Sequence, residues 1–383
     1  MIYFDYSSAQ PVDPRVIKEM VPCLRKNFGN PSSHHKIGIE ARNALNLARD
    51  RVSELIGAKS NEIVFTANGT EADNLAIKGL AQAMVKKGQH IVVSSIEHHA
   101  VLYAAKALAR HGFVVTQVPV DLNGIVQPEE VARAIRNDTV LVSVMLANDQ
   151  TGTIQPIRDI TDIARKHGAV MHTDAVSVLG RLSVNVNVLK VDALSVSART
   201  LNGPPGAGAL YLKTGIRIRP QLEGGIQEEG RRGGYENIPA IVGFGKAAEL
   251  MASELNSRLG RLKQLDEFFC DGLMDRLPNV SLNGHPQLRL PGHLNLWIKG
   301  VDGESLALIL DEMGIAVSIG SSCESHAFKP SHVLLALGRT PKEARCSLLV
   351  SMNPETQESE INEVLDALVK AVQELRGIAG VPV

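Results

Sequence analysis

The run Val170-Met171-His172-Thr173-Asp174-Ala175, then Asp192-Ala193-Leu194-Ser195-Val196-Ser197, then the turn Gly203-Pro204-Pro205-Gly206-Ala207-Gly208, decides how this chain is read. The first two segments are largely apolar, as strands buried on both faces are, and each ends in polar groups. They deliver an acid and two hydroxyls to strand carboxyl ends, where open α/β sheets hold their ligands.

Outward from there the chain alternates. Apolar runs predict strands over residues 62–66, 90–94, 113–118, 139–145 and 169–173, and a further strand over 209–212. Helices are predicted between them over 70–87, 98–111, 128–136 and 157–167. Upstream, Asp13-Pro14 reads as a helix cap and first helical residue. A longer helix carries Leu45, Ala48, Val52 and Leu55 on one stripe. The alternation predicts a parallel sheet covered by helices on both faces. A very long helix over 239–274 is the expected connector to an α+β remainder, with strands at 293–298 and 347–351 and a final helix over 358–375. We therefore expect a large domain over 13–255 and a small one made of 1–12 plus 256–383.

Composition narrows the function classes. With 383 residues, 44% hydrophobic, 21% charged and a net charge of −1, the chain offers no electrostatic case for nucleic acid or an anionic membrane. No apolar run approaches the roughly 20 residues that span a bilayer, and Met1–Tyr6 does not read as a signal segment. Cys23, Cys270, Cys323 and Cys346 form no CxxC pair, which argues against a zinc knuckle or disulfide framework and fits a reducing cytosol. The expectation is a soluble, cytoplasmic protein.

Several residues could carry chemistry. Thr66-Ala67-Asn68-Gly69-Thr70-Glu71 joins a strand to a helix, and its small residues let backbone N–H groups close on an anion, or else make a simple turn capped by Thr70. Asp174 at a strand end can pair with a protonated heteroaromatic nitrogen, or serve as a cap or ion-pair partner. His172 with Asp174 lacks an evident third metal ligand, so no metal site is expected. His98 can stack on a planar ligand or move a proton. Asn148 follows a strand, where its amide can reach the same crevice or bond its own loop. Cys323, in Gly320-Ser321-Ser322-Cys323-Glu324-Ser325, sits among small polar residues, as a nucleophile that must travel should.

Taken together these motifs resemble the cysteine desulfurase family (NifS/IscS-like) within the class V aminotransferase group. Tyr3-Phe4-Asp5, Gly29-Asn30-Pro31-Ser32-Ser33, Thr70-Glu71-Ala72-Asp73-Asn74, Glu97-His98, His172-Thr173-Asp174-Ala175, Arg232 with Gly234, Gly303-Glu304-Ser305 and Gly320-Ser321-Ser322-Cys323 fall in family order. The resemblance implies a three-layer αβα, aspartate-aminotransferase-like fold with a smaller α+β C-terminal domain, a homodimer, and pyridoxal 5'-phosphate as cofactor. It implies that Gly69 and Thr70 hold the phosphate with support from Ser197, that His98 stacks on the ring, and that Asp174 pairs with the ring nitrogen. It further implies that Cys323 carries a persulfide from L-cysteine to an acceptor such as an iron–sulfur scaffold.

The chain also departs from that pattern. Where the family has Ser-x-Ser-x-His-Lys, this sequence reads Ser195-Val196-Ser197-Ala198-Arg199-Thr200. Arg199 takes the histidine's place and Thr200 that of the lysine, and a hydroxyl cannot form an imine, so no internal aldimine is expected. The substrate-carboxylate arginine falls on Leu349. Ser177 stands where a glutamine meets the ring hydroxyl, Tyr235 replaces a threonine that reaches the neighbouring subunit's phosphate, and Gln150 replaces a glutamate. The reading is a desulfurase-like protein that handles sulfur on Cys323, taking it from a persulfide donor or lending the thiol to a partner's metal cluster. Cysteine activation is impaired, with the cofactor bound non-covalently or not at all. An atypical but active desulfurase and a non-catalytic dimeric binding module are the alternatives.

Overall fold

The computed structural model describes residues 1–320 and 330–379. Its strands are β1 (Ile2–Tyr3), β2 (Ile63–Thr66), β3 (His90–Ser94), β4 (Val114–Val118), β5 (Thr139–Ser143), β6 (Val170–Asp174), β7 (Ala193–Ser197), β8 (Gly208–Leu212), β9 (Val280–Leu282), β10 (His293–Ile298), β11 (Ile315–Ala316) and β12 (Ser347–Ser351). Seven of them form the central sheet, in the order β2-β8-β7-β6-β5-β3-β4.

The side-chain alternation of these strands builds two cores. Ile63, Phe65, Val92, Met171, Leu194, Val196, Ala209 and Tyr211 point to one face, into a core shared with the helix Lys36–Leu55 and the first half of the helix Ile238–Arg276. Val64, Ile91, Val93, Val170, Ala193, Leu210 and Leu212 point to the other, against Leu75, Leu80, Val101 and Leu108 of the helices there. Period-two alternation in strands that are buried throughout is what a helix layer on each face requires. The fold is three-layered, as expected.

One expectation is corrected. The sheet is mixed rather than parallel, because β8 runs antiparallel to both β7 and β2. Residues 198–207 between β7 and β8 hold only a single 3₁₀ turn and the Gly-Pro-Pro-Gly bend. A parallel return needs a crossover of a dozen residues or more, so the chain folds straight back. The helix expected over 70–87 is also divided, into Gly69–Asn74, a π turn Leu75–Gly79, and Leu80–Ala83. The Arg219 N–H takes the Gly79 carbonyl (3.1 Å), and a Cβ on Gly79 would lie 2.6 Å from the Arg219 oxygen. A foreign donor at that close approach opens the helical ladder.

The helix Ile238–Arg276 extends from the first core into a third, where Leu265, Phe269 and Leu273 meet Phe4, Leu294 and Leu296 of β10, and Leu348 and Val350 of β12. Here β12-β10-β9 form an antiparallel sheet, and β1 pairs with β11. Buried Arg181 ties this part to the large sheet's layer through hydrogen bonds to the carbonyls of Pro291 (2.9 Å), Gly292 (3.1 Å) and Met352 (2.8 Å). Among the described residues no helix is long and apolar enough to cross a membrane.

Candidate active site

The carboxyl ends of β3, β5, β6 and β7 open on one cavity of about 470 Å³. β6 delivers Asp174 and β7 delivers Ser197, while the loops after β3 and β5 bring His98 and Asp149. Gly69 and Thr70 come from the first turn of the helix that follows β2. The far wall is closed by Ser7 and Ser8 of the N-terminal segment and by Ser318, Gly320 and Leu349.

The helix end is shaped for close approach. Asn68, rather than Thr70, caps it by accepting the Glu71 N–H (2.9 Å), which leaves the exposed Thr70 hydroxyl for other work. A Cβ on Gly69 would lie 2.5 Å from Val176 Cγ2, so glycine is what lets the helix start settle against the loop after β6. Glu71 accepts the Ala67 N–H (2.7 Å) and pairs with Arg232 (2.7 Å), bracing the turn from outside.

Beneath the cavity lies a buried polar layer. Burial pushes the Asp174 carboxyl up to about 6, moderated by the neighbouring His98 and by the Val176 N–H (2.8 Å). Asp73 is held well above the usual carboxylate range by burial and then by the charge of Asp174. Burial pushes Glu97 up to about 8, although its Oε1 accepts from Ser94 Oγ (2.6 Å) and the Met145 N–H (2.8 Å). His172, between Ser143 Oγ (2.9 Å) and Ser195 Oγ (3.0 Å), is driven down to about 3 by burial. His172 Nε2 and Asp73 Oδ1 are 3.8 Å apart, within ion-pair range, but burial holds His172 neutral at pH 7 and the contact is not a salt bridge. With its value near 6, Asp174 carries charge at pH 7.

The sequence-predicted residues divide accordingly. Gly69, Thr70, His98, Asp174, Ser177, Ser197 and Arg199 all line the cavity. His98 caps the helix His99–Ala109, its Nδ1 accepting the Ala100 N–H (3.1 Å), which places the proton of the neutral ring on Nε2. Three others stand elsewhere. Asn148 is fully buried and spends its side chain on its own loop, accepting from the Gln150 and Thr151 N–H groups (3.0 and 2.8 Å) and donating to the Ile96 carbonyl (2.9 Å). Thr200 is buried and donates back to the Ser197 carbonyl (3.2 Å). Tyr235 is 58% exposed, its hydroxyl on the Gly29 carbonyl (3.3 Å). Cys323 lies outside the described residues; Gly320, three positions before it, is in the cavity wall.

Sequence reasoning missed Asp149 and the Asp73–Glu97–His172 layer. Asp149 sits beside the residue that was chosen, and the loop geometry turns Asn148 inward and Asp149 toward the cavity. Among the described residues no lysine lines the cavity, and Leu349, 3% exposed, is its wall at the place of the family's arginine. Among the described residues no group of three or more His, Cys, Asp or Glu side chains is placed to hold a metal ion.

The set fits a phosphorylated pyridine. A helix start made narrow by Gly69, with the hydroxyls of Thr70 and Ser197, suits a phosphate. Asp174, its carboxylate destabilised by burial, would be restored to its charged form by a protonated ring nitrogen.

Comparison with known proteins gives the same direction. The model of the aminotransferase class-V family matches residues 2–364. The chain is 44% identical to a cysteine desulfurase IscS from Methanosarcina thermophila, over 99% of this chain and 93% of that protein. It is 43% identical to a cysteine desulfurase IscS from Dictyoglomus turgidum, over 99% and 96%. A solved structure described as a NifS-like protein superposes with a TM-score of 0.91 at 35% identity, over 97% of this chain and 99% of the other.

Proposed function

The chain belongs to the class-V aminotransferase family, in its cysteine desulfurase branch, and from that premise we propose that it is a sulfur-transfer protein whose own activation of cysteine is impaired. The observation that carries this reading is the composition of one cavity: Asp174, Gly69, Thr70 and Ser197 are present, no lysine is in the lining among the described residues, and Leu349 stands at the place of the family's arginine.

In this reading pyridoxal 5'-phosphate binds non-covalently. When bound, it supplies an electron-withdrawing ring that stabilises negative charge on an attached carbon. Asp174 would hold the ring nitrogen protonated, Gly69, Thr70 and Ser197 would hold the phosphate, and Ser177 would meet the ring hydroxyl. His98 would stack on the ring and could move a proton through its Nε2–H. Thr200 supplies no amine and Leu349 no cation, so cysteine is neither tethered nor gripped by its carboxylate. General acid–base help from a lost lysine is worth about 100- to 10,000-fold, and turnover falls accordingly.

Sulfur reaches Cys323 from a donor persulfide. The Cys323 thiolate attacks the outer sulfur, the donor leaves as a thiol, and no net oxidation occurs. The homodimer then passes that sulfur to an acceptor such as an iron–sulfur scaffold in the cytoplasm. Two measurements test this. Sulfide release from L-cysteine with added pyridoxal phosphate should stay close to the free-cofactor background. Alkylation and mass analysis after incubation with a persulfide-loaded donor should find the extra sulfur on Cys323 and none in Cys323→Ala. An inert Cys323 would leave only the binding-module reading.

A further inference from the structure

Which form of a pyridine phosphate the cavity accepts is decided by the charges on its wall. Among the described residues three carboxyl side chains line it, Asp73, Asp149 and Asp174, against one guanidinium, Arg199. The Arg199 Nη1 is engaged by the N-terminal segment, donating to the carbonyls of Ser7 (3.0 Å) and Ser8. Asp149 is half-buried on the loop after β5, and its charge works against ionisation of Asp174 and Glu97. Asp73 is 1% exposed, and its Oδ1 has no hydrogen-bond partner, with His172 Nε2 3.8 Å away.

Among the described residues the aldehyde form has nothing to condense with. No described lysine lines the cavity, and Thr200 is turned back onto the Ser197 carbonyl. Its carbonyl oxygen would also bring one more acceptor to a wall already rich in them. A primary ammonium on the ligand instead brings three donors and a positive charge to the same place.

Resting on the cofactor reading above, we infer that the cavity selects pyridine 5'-phosphates that carry their own 4'-amine, pyridoxamine 5'-phosphate over pyridoxal 5'-phosphate, and that Asp149 is the residue that reads the ammonium. The ligand's nitrogen takes the role that the family's lysine nitrogen plays from the protein side. Selectivity is a difference of affinities, and one charge-assisted hydrogen bond in a partly buried wall sets it at about tenfold or more.

The test is calorimetric titration of the cofactor-free protein at pH 7.5 with each of the two compounds. Pyridoxamine 5'-phosphate should bind at least about tenfold more tightly, and Asp149→Asn should narrow the ratio to within about threefold. Thr200→Lys should reverse the preference by giving the aldehyde a covalent partner. Equal binding, or tighter binding of pyridoxal 5'-phosphate, overturns the inference and leaves the cofactor reading standing. A ratio unchanged in Asp149→Asn overturns the role of Asp149. If neither compound binds a protein that remains folded by circular dichroism, both readings fall together.

Discussion

The two ends of the cavity differ in kind. At the end under β6 and the helix Gly69–Asn74, each side chain is braced: Asp174 by the Val176 N–H, the turn by Asn68 and by the Glu71–Arg232 pair. At the other end the wall is Leu349, Ser318 and Gly320; the buried Thr200 is turned back onto the Ser197 carbonyl. The first end has the charge and the donors that suit a cofactor; among its described residues the second has no amine. In the proposed reading, holding a cofactor and seizing a substrate are separate tasks carried by different residues.

That contrast can be broken by experiment. The largest effect is expected from Thr200→Lys. If the cofactor end is intact, borohydride should fix pyridoxal phosphate stoichiometrically to the variant and not at all to the parent, read by absorbance and intact mass. A variant that stays colourless would mean that the braced end does not hold the cofactor. Next comes Asp174→Ala, which removes the buried partner of a cationic ring and should weaken cofactor binding on the order of 100-fold, measured by titration.

The buried layer under the cavity sharpens the comparison through pH. Glu97 is raised to about 8 by burial, so the folded state holds a proton that the unfolded chain, with its ordinary carboxylate, has already released. Stability from this group is fully present at low pH and is lost as pH rises toward 8. Between pH 6.5 and 8 the loss should be about 2 kcal/mol. The window avoids the opposing contribution of His172, whose folded value near 3 costs stability only as pH falls below the ordinary histidine range. Chemical denaturation at the two pH values should show a clearly shallower slope in Glu97→Gln than in the parent. The smallest effect belongs to the substrate wall. Adding Leu349→Arg to Thr200→Lys should raise kcat/KM for cysteine about tenfold, one charge-assisted bond's worth, with most of the change in KM. An unchanged KM would place the substrate carboxylate elsewhere.

The alternation of the large domain was legible because buried strands are written as apolar runs and their helices as stripes, both local patterns. The direction of β8 was not, since an apolar five-residue run carries no arrow; the short Gly-Pro-Pro-Gly connection that decides it was visible but went unused. β9 escaped notice because Val280–Leu282 is three half-buried residues, too short for a period. At the site, Gly69, Thr70, His98, Asp174 and Ser197 were legible from motif and position. Asn148 was chosen over Asp149 because side-chain direction within a loop is set by hydrogen bonds to Ile96, Gln150 and Thr151, some of them far along the chain.

By itself the sequence determined what chemistry is unavailable: threonine at 200 and leucine at 349 lack an amine and a guanidinium in any conformation. Tertiary structure alone decided which acids stay charged, which loop residue faces the cavity, and which way β8 runs. The reason is that covalent identity belongs to each residue, whereas burial, neighbouring charge and strand pairing belong to the distances between residues, and those exist only once the chain has folded.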